Sequence, residues 1–312
     1  MKAALLGVGA HRPARVVTND ELSQTLDTSD AWIRRRTGIA QRHVAGPDES
    51  VVQMGVEAAG KALAAAGVSP AEVDLVLLAT CSAPTAMPGL APQIATALGC
   101  ASVGALDVNG ACAGFCYALA LAADSVRAGS AQHVLVVGSE RMTDIVDQSD
   151  RGTAVLFGDG AGAVVVGAGS GAGDEGVGPV VWGSDGTASE AIIIRDRWLE
   201  MDGAAVYRWA TSAVAPVCVE ACRRAGIAPS ELAAVIPHQA NLRIIDAIAT
   251  AVGATGAAVA DDVVNSGNTS SASVPLALAR MLEAGTVTSG DAALLVGFGA
   301  GLSWAAQVVR IP

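Results

Sequence analysis

Cys112 lies in Asn109-Gly110-Ala111-Cys112-Ala113-Gly114-Phe115, where a turn rich in small residues leads into an apolar helix. A helix N-terminus presents free N–H groups and a partial positive charge. Both favour a thiolate, and the same N–H groups can hold an oxyanion developing on a thioester carbonyl. His238 lies in Pro237-His238-Gln239-Ala240-Asn241-Leu242-Arg243, between an apolar strand and the next helix. That is a usual place for sites in α/β sheets. Asn268 lies in the loop Asn265-Ser266-Gly267-Asn268-Thr269-Ser270. Singly, these residues read as a core cysteine, a satisfied polar side chain and a helix cap. Together, a thiol, an imidazole and a carboxamide make a set suited to nucleophilic acyl transfer.

An internal echo supplies the elements that must position them. Residues 57–80 and 217–240 share one plan: an Ala-rich helix, an Ala-Gly stop, a turn containing Pro70 or Pro229, then an apolar strand. Gly67 and Gly226 stand where helix C-caps are expected. Residues 110–138 and 267–297 share a second plan: a turn, an apolar helix, an Ala-Gly stop and a buried strand. The echo places Cys112 and Asn268 as counterparts, each heading an equivalent buried helix. Near-continuous apolar strands are expected at 73–79 and 134–138, as in sheets covered on both faces. Further strands are expected at 103–108, 161–167, 233–237, 292–297 and 303–309. A first strand is expected to end at Gly7, and Asp159-Gly160 reads as a hairpin turn. The helix from about Ala113 to Ala128 is apolar nearly all round and so belongs in the interior. Two such helices imply a helix layer sandwiched between two sheets. The halves are expected at 1–168 and 179–312, joined flexibly through 167–178.

Composition excludes several classes. Nineteen basic against thirty acidic residues leave a net charge of −11, which argues against broad binding to nucleic acid or an anionic membrane. No run of about eighteen apolar residues suggests a spanning helix, and no targeting signal is read at the start, so a cytoplasmic location is expected. The six cysteines read as reduced thiols. Cys112/Cys116 and Cys218/Cys222 have i, i+4 spacing, but no CxxC pair or nearby His completes a metal site.

The chain also resembles the β-ketoacyl-ACP synthase III group of the thiolase superfamily over essentially its whole length. The resemblance is carried by Trp32-Ile33 with Arg36-Thr37-Gly38-Ile39, ACAGF at 111–115, DRGTAVLFGDGAGA at 150–163, MDG at 201–203, PHQANLRI at 237–244 and GFGAGLSW at 297–304. It implies a thiolase-like five-layer αβαβα sandwich, a homodimer and a catalytic Cys112, His238 and Asn268. The implied reaction is decarboxylative Claisen condensation of an acyl-CoA starter with malonyl-ACP, with no metal or organic cofactor. The backbone N–H groups of Cys112 and Ala300 are expected to hold an oxyanion. By similarity, Thr28, Trp32, Arg36, Arg151 and Asn241 bind CoA. Gln239, Ala240, Asn241, Leu242 and Arg243, with Arg208 nearby, are expected to meet an acidic carrier protein. By similarity, Met87 is expected to reach the acyl pocket of a partner subunit, where a flexible side chain would tolerate starters beyond acetyl. The stretch 184–203 is shorter than usual for the family and is expected to wall the acyl tunnel.

The same fold could serve an acyltransferase or a polyketide starter-unit priming enzyme with a different acceptor. A dinucleotide-binding oxidoreductase is disfavoured, because neither Gly7-x-Gly9 nor GDGAGA completes the G-x-G-x-x-G context. A non-catalytic scaffold fits the Cys/His/Asn set poorly.

Overall fold

The computed structural model describes residues 2–169 and 176–312. The central part of the 167–178 segment, expected as a flexible join, lies outside the described residues. Two five-stranded mixed sheets form the frame. The first runs Ala3–His11, Asp159–Ala168, His133–Arg141, Leu75–Ala79, Gly104–Val108. The second runs Ala258–Val259, Ala234–Pro237, Ala292–Gly299, Ser303–Arg310, Val181–Gly183. In each sheet three neighbouring strands are parallel and the other two pairings are antiparallel. The two sheets thus repeat one plan.

Helices Gly114–Arg127 and Ser273–Glu283 lie between the sheets, and side chains from both sheets close over them in one core. Helices Val51–Ala66 and Ala91–Leu98 cover the outer face of the first sheet. Helices Gly203–Ala225 and Leu242–Val252 cover the outer face of the second. The result is five layers, helix–sheet–helix–sheet–helix. Core side chains are mostly Ala, Val, Leu and Ile. Such small, branched side chains let layers approach closely.

The C-caps behave as the sequence suggests: Gly67 and Gly226 take left-handed conformations, φ 65° and 70°. Two local readings fail. The first strand does not end at Gly7 but continues to His11. Side chains at Gly7 and Gly9 would fall on the Ala62 and Ala58 carbonyls of the covering helix, so glycine here permits contact and does not stop the strand. Asp159-Gly160 is no hairpin, because Asp159 opens the single strand Asp159–Ala168. Its buried carboxylate accepts the Ala45 N–H at 2.8 Å, the Thr143 N–H at 3.0 Å and the Thr143 hydroxyl at 2.7 Å. Those partners turn a local turn signal into a tertiary anchor. Burial still pushes this carboxyl above its ordinary range.

Candidate active site

Cys112 sits in a single 3-10 turn, Ala111–Ala113, that feeds the central helix Gly114–Arg127. Ala111 just before it has φ 46°, a strained value for a residue with a Cβ. The other half repeats this turn at Ser270–Ala272, with Ser270 at φ 48°. Each turn is held by an asparagine. Asn109 Oδ1 accepts the Ala111 N–H at 3.3 Å, and Asn268 Oδ1 accepts the Ser270 N–H at 2.9 Å. The counterpart of Asn268 is therefore Asn109, and that of Cys112 is Ser271. The sequence echo alone could not set this register, because between the asparagine and the helix the two loops share a single residue, Ala113 matching Ala272.

The halves cross at this point. A Cβ on Gly297 would lie 2.8 Å from Ala113 Cα, and one on Gly138 would lie 2.8 Å from the Ser271 carbonyl oxygen. Each sheet's glycine receives the other half's helix start. Gly299 presses directly on the nucleophile: its Cβ would be 2.8 Å from Cys112 Cβ and 3.2 Å from Sγ.

Cys112, His238 and Asn268 line one cavity of about 240 Å³. Asn268 is fixed through its backbone, which donates to the Leu156 carbonyl at 2.8 Å and accepts the Gly158 N–H at 3.1 Å. With Oδ1 engaged by Ser270, the Nδ2 hydrogens are the end left for the cavity. His238 is buried at the end of strand Ala234–Pro237. Its Nδ1 lies 2.7 Å from Ser273 Oγ, and the Phe298 ring stands edge-on at 5.2 Å. Burial drives the imidazole pKa from 6.5 down to about 3, against a smaller opposing pull from the Ser270 carbonyl. His238 is neutral in this setting.

Burial pushes the Cys112 thiol up to about 12; the Ser270 hydroxyl at 3.4 Å opposes this and the Glu140 carboxylate adds to it. The helix N-terminus does not prevail here, contrary to the sequence expectation, because desolvation of a thiolate at this half-buried position outweighs it.

Glu140 carries no sequence signal beyond ending an apolar strand, yet it braces the site from beneath. It is fully buried. It accepts hydrogen bonds from Thr80 Oγ1, Cys81 N, Ser82 N, Ser82 Oγ and Ser271 Oγ at 2.5–3.1 Å. Ser271 belongs to the other half, so this one carboxylate stitches both halves under the cavity. Cys81, also missed from sequence, lines the cavity with its thiol 3.4 Å from Ser270 Oγ.

The cavity's outer wall is the hairpin Ile192–Arg195 and Trp198–Met201, whose Ile192, Ile193, Ile194, Leu199 and Met201 line it. Within the stretch 184–203 it is this hairpin, and not residues 184–191, that lines the cavity. Ala300 lines it too. Met87 is 86% exposed and does not line this chain's own cavity, so its expected place in a partner's pocket is untouched by this geometry.

A surface groove adjoins the wall and contains Trp32, Arg36, Tyr207, Arg208, Asn241 and Arg243. The Trp32 ring is flanked by the guanidinium carbons of Arg151 at 5.1 Å and Arg36 at 5.3 Å. Arg243 lies 5.0 Å over the Tyr207 ring. Thr28 Oγ1 is buried and has no hydrogen-bond partner among the described residues. Asn241 caps the helix Leu242–Val252 and donates to the Arg36 carbonyl at 3.1 Å. Ala240 and Leu242 are half-buried. Gln239 turns away from the surface expected for it. It is 1% exposed, and its amide bonds Pro237 O, Ala260 O and Val263 N. A side chain so occupied cannot meet a carrier protein. Its place beside His238 in the sequence gave no hint that it turns inward.

Among the described residues no helix is long and apolar enough to cross a membrane, and no group of three or more His, Cys, Asp or Glu could hold a metal ion.

Comparison with known proteins agrees with this geometry. The family model for the 3-oxoacyl-(acyl-carrier-protein) synthase III matches residues 106–186, and that for its C-terminal part matches residues 222–311. The chain is 51% identical to beta-ketoacyl-(acyl-carrier-protein) synthase III 4 of Streptomyces coelicolor, covering 99% of this chain and 98% of the relative. It superposes on the priming beta-ketosynthase of a polyketide biosynthetic pathway with a TM-score of 0.96 at 46% identity, covering 100% of this chain and 96% of that one. It superposes on 3-oxoacyl-(acyl-carrier-protein) synthase III from Aquifex aeolicus with a TM-score of 0.95 at 38% identity, covering 99% and 100%.

Proposed function

The chain belongs to the 3-oxoacyl-(acyl-carrier-protein) synthase III family, and from that premise we propose that it condenses an acyl-CoA starter with malonyl-ACP, giving 3-oxoacyl-ACP, CoA and CO2. The observation that carries this reading is the meeting of the Cys112 thiol, a neutral His238 and the Nδ2 end of Asn268 on one apolar-walled cavity.

Cys112 attacks the acyl-CoA carbonyl. The thiol gives up its proton as it attacks, the thiolate being the nucleophile, and the departing CoA sulfur takes up a proton, so the step consumes no base overall. The acyl chain then lies against the isoleucine-rich hairpin. Malonyl-ACP enters next and its C–C bond to the carboxylate breaks. The electron pair moves onto the thioester oxygen as an enolate, which the His238 N–H and Asn268 Nδ2 stabilise. Donors that strengthen as this charge develops lower the barrier; a carboxylate in their place would raise it. The enolate carbon attacks the acyl-Cys112 carbonyl, whose oxyanion is held by the N–H groups of Cys112 and Ala300. Collapse expels the Cys112 sulfur, which regains a proton from solvent. The chemistry balances without a metal or organic cofactor.

The groove at Trp32, Arg36 and Arg151, with Thr28 and Asn241 beside it, suits an adenine and phosphates. Arg243, Arg208, Ala240 and Leu242 form its rim, suited to an acidic carrier. The halves 1–168 and 179–312 act as one unit, since the site draws on both. Strand Gly104–Val108 ends its sheet, with Leu106 47% exposed and Met87 prominent on the same chain. Such an edge invites pairing, and a homodimer would bring Met87 toward a partner's acyl pocket. A cytoplasmic location fits acyl-CoA use.

Intact-mass measurement after exposure to a panel of acyl-CoAs tests the first half-reaction, with Cys112→Ser as control. Labelled CO2 release from malonyl-ACP tests the second. Acylation at Cys112 without CO2 release would instead favour an acyltransferase. The similarity to a priming ketosynthase supports polyketide starter priming as a second reading; preference for a starter longer than acetyl and for a dedicated carrier would select it.

A further inference from the structure

We propose that Ser273 is a positioning residue: its hydroxyl donates to His238 Nδ1, holds the ring as the Nε2–H tautomer and so provides the hydrogen-bond donor for the malonyl enolate. This rests on the condensing reading above and deepens it.

Ser273 is fully buried and opens the central helix Ser273–Glu283. Among the described residues its Oγ has two partners, the Gln239 N–H at 3.2 Å and His238 Nδ1 at 2.7 Å. A backbone N–H only donates, so Oγ accepts from Gln239. The hydroxyl has one hydrogen of its own. Were Nδ1 protonated, Oγ would accept twice and that hydrogen would be buried without an acceptor, an arrangement disfavoured by about tenfold or more. With the hydroxyl donating to Nδ1, every group in the chain Gln239–Ser273–His238 is satisfied. The ring hydrogen then sits on Nε2.

The framework around this chain is rigid. Gln239 is locked by Pro237 O at 2.6 Å, Ala260 O at 3.3 Å and Val263 N at 3.1 Å. The His238 N–H is tied to the Val296 carbonyl at 2.7 Å, and Phe298 stands edge-on to the ring. Ring position and tautomer are set before substrate arrives. The side chain comes from the same helix start that carries Ser270 and Ser271, so the second-half turn aims the imidazole much as the first-half turn presents the thiol.

Nitrogen NMR of the full-length protein labelled at histidine reads the tautomer directly, with His238→Asn identifying the His238 signals. The expected spectrum shows a neutral ring with its hydrogen on Nε2; a hydrogen on Nδ1 overturns the proposal. In parallel, Ser273→Ala is expected to lower CO2 release from malonyl-ACP by about 10- to 100-fold, short of the loss from deleting a direct donor. Cys112 acylation by acyl-CoA should stay within about threefold, since that step does not use the enolate donor. Ser273→Thr keeps the hydroxyl and is expected to restore CO2 release to within about tenfold of the unaltered protein. Equal loss of both half-reactions in a folded Ser273→Ala protein would overturn the positioning role. If the unaltered protein releases no CO2, the condensing reading fails, while the spectrum still decides the tautomer.

Discussion

Replacing Glu140 by glutamine should weaken the fold and quicken the nucleophile at once. The carboxylate accepts from five donor groups at 3.1 Å or less, on Thr80, Cys81, Ser82 and Ser271. Glutamine keeps the shape but offers one acceptor oxygen and turns an NH2 toward groups that donate. Losing charge assistance on most of these bonds, at about 1 kcal/mol each, gives a destabilisation of about 4 kcal/mol. A chain of this length unfolds with an entropy of about 0.7 kcal/mol per kelvin, so the melting temperature should fall by about 6 °C. The same carboxylate holds the Cys112 thiol up. Removing its charge lowers that thiol's pKa, and at a fixed pH of about 8 the alkylation of Cys112 should accelerate by roughly tenfold. Melting curves at constant protein concentration and mass-resolved iodoacetamide kinetics read the two effects. A folded variant that melts as before, or alkylates no faster, would refute the picture of a charged brace beneath the sulfur.

Four further outcomes are expected. Between pH 6.5 and about 3 the unfolded chain takes up a proton at His238 that the folded chain refuses. Stability from this group is therefore complete above pH 6.5 and falls with pH by up to about 1.4 kcal/mol per unit; urea midpoints should drop more steeply with acid than in His238→Asn, and parallel slopes would count against it. Gly299→Ala puts a Cβ 2.8 Å from Cys112 Cβ, and displacing the sulfur should slow acylation by about 100-fold, as read by intact mass. Trp32→Ala removes the ring flanked by Arg36 and Arg151 and should raise KM for acyl-CoA about tenfold, while a pantetheine thioester lacking the nucleotide is unaffected. Arg243→Ala should weaken use of carrier-bound malonate and spare acylation by acyl-CoA; equal loss in both assays would remove Arg243 from the carrier surface.

Much of the frame was legible locally. Glycine C-caps, the apolar central helices and the doubly buried strands are written in short-range patterns, because capping and burial periodicity act over a few residues. The thiol, imidazole and carboxamide could be picked out by type and by their places at strand ends and helix starts. What local pattern misjudged was partnership. Gln239 beside His238 has the look of a surface residue, and Asp159-Gly160 that of a turn, until distant backbone groups claim both side chains.

The sequence by itself determined that two similar halves would each start a buried helix at a small-residue turn, because that information is local and repeated. Only the tertiary structure decided which asparagine matches which, that Gly138 and Gly297 admit the opposite half's turn, and that Glu140 ties the halves together beneath Cys112. It also decided the charge state of the site. Burial is a property of the whole packed chain, and here it outweighs the helix N-terminus, leaving a protonated thiol beside a neutral imidazole.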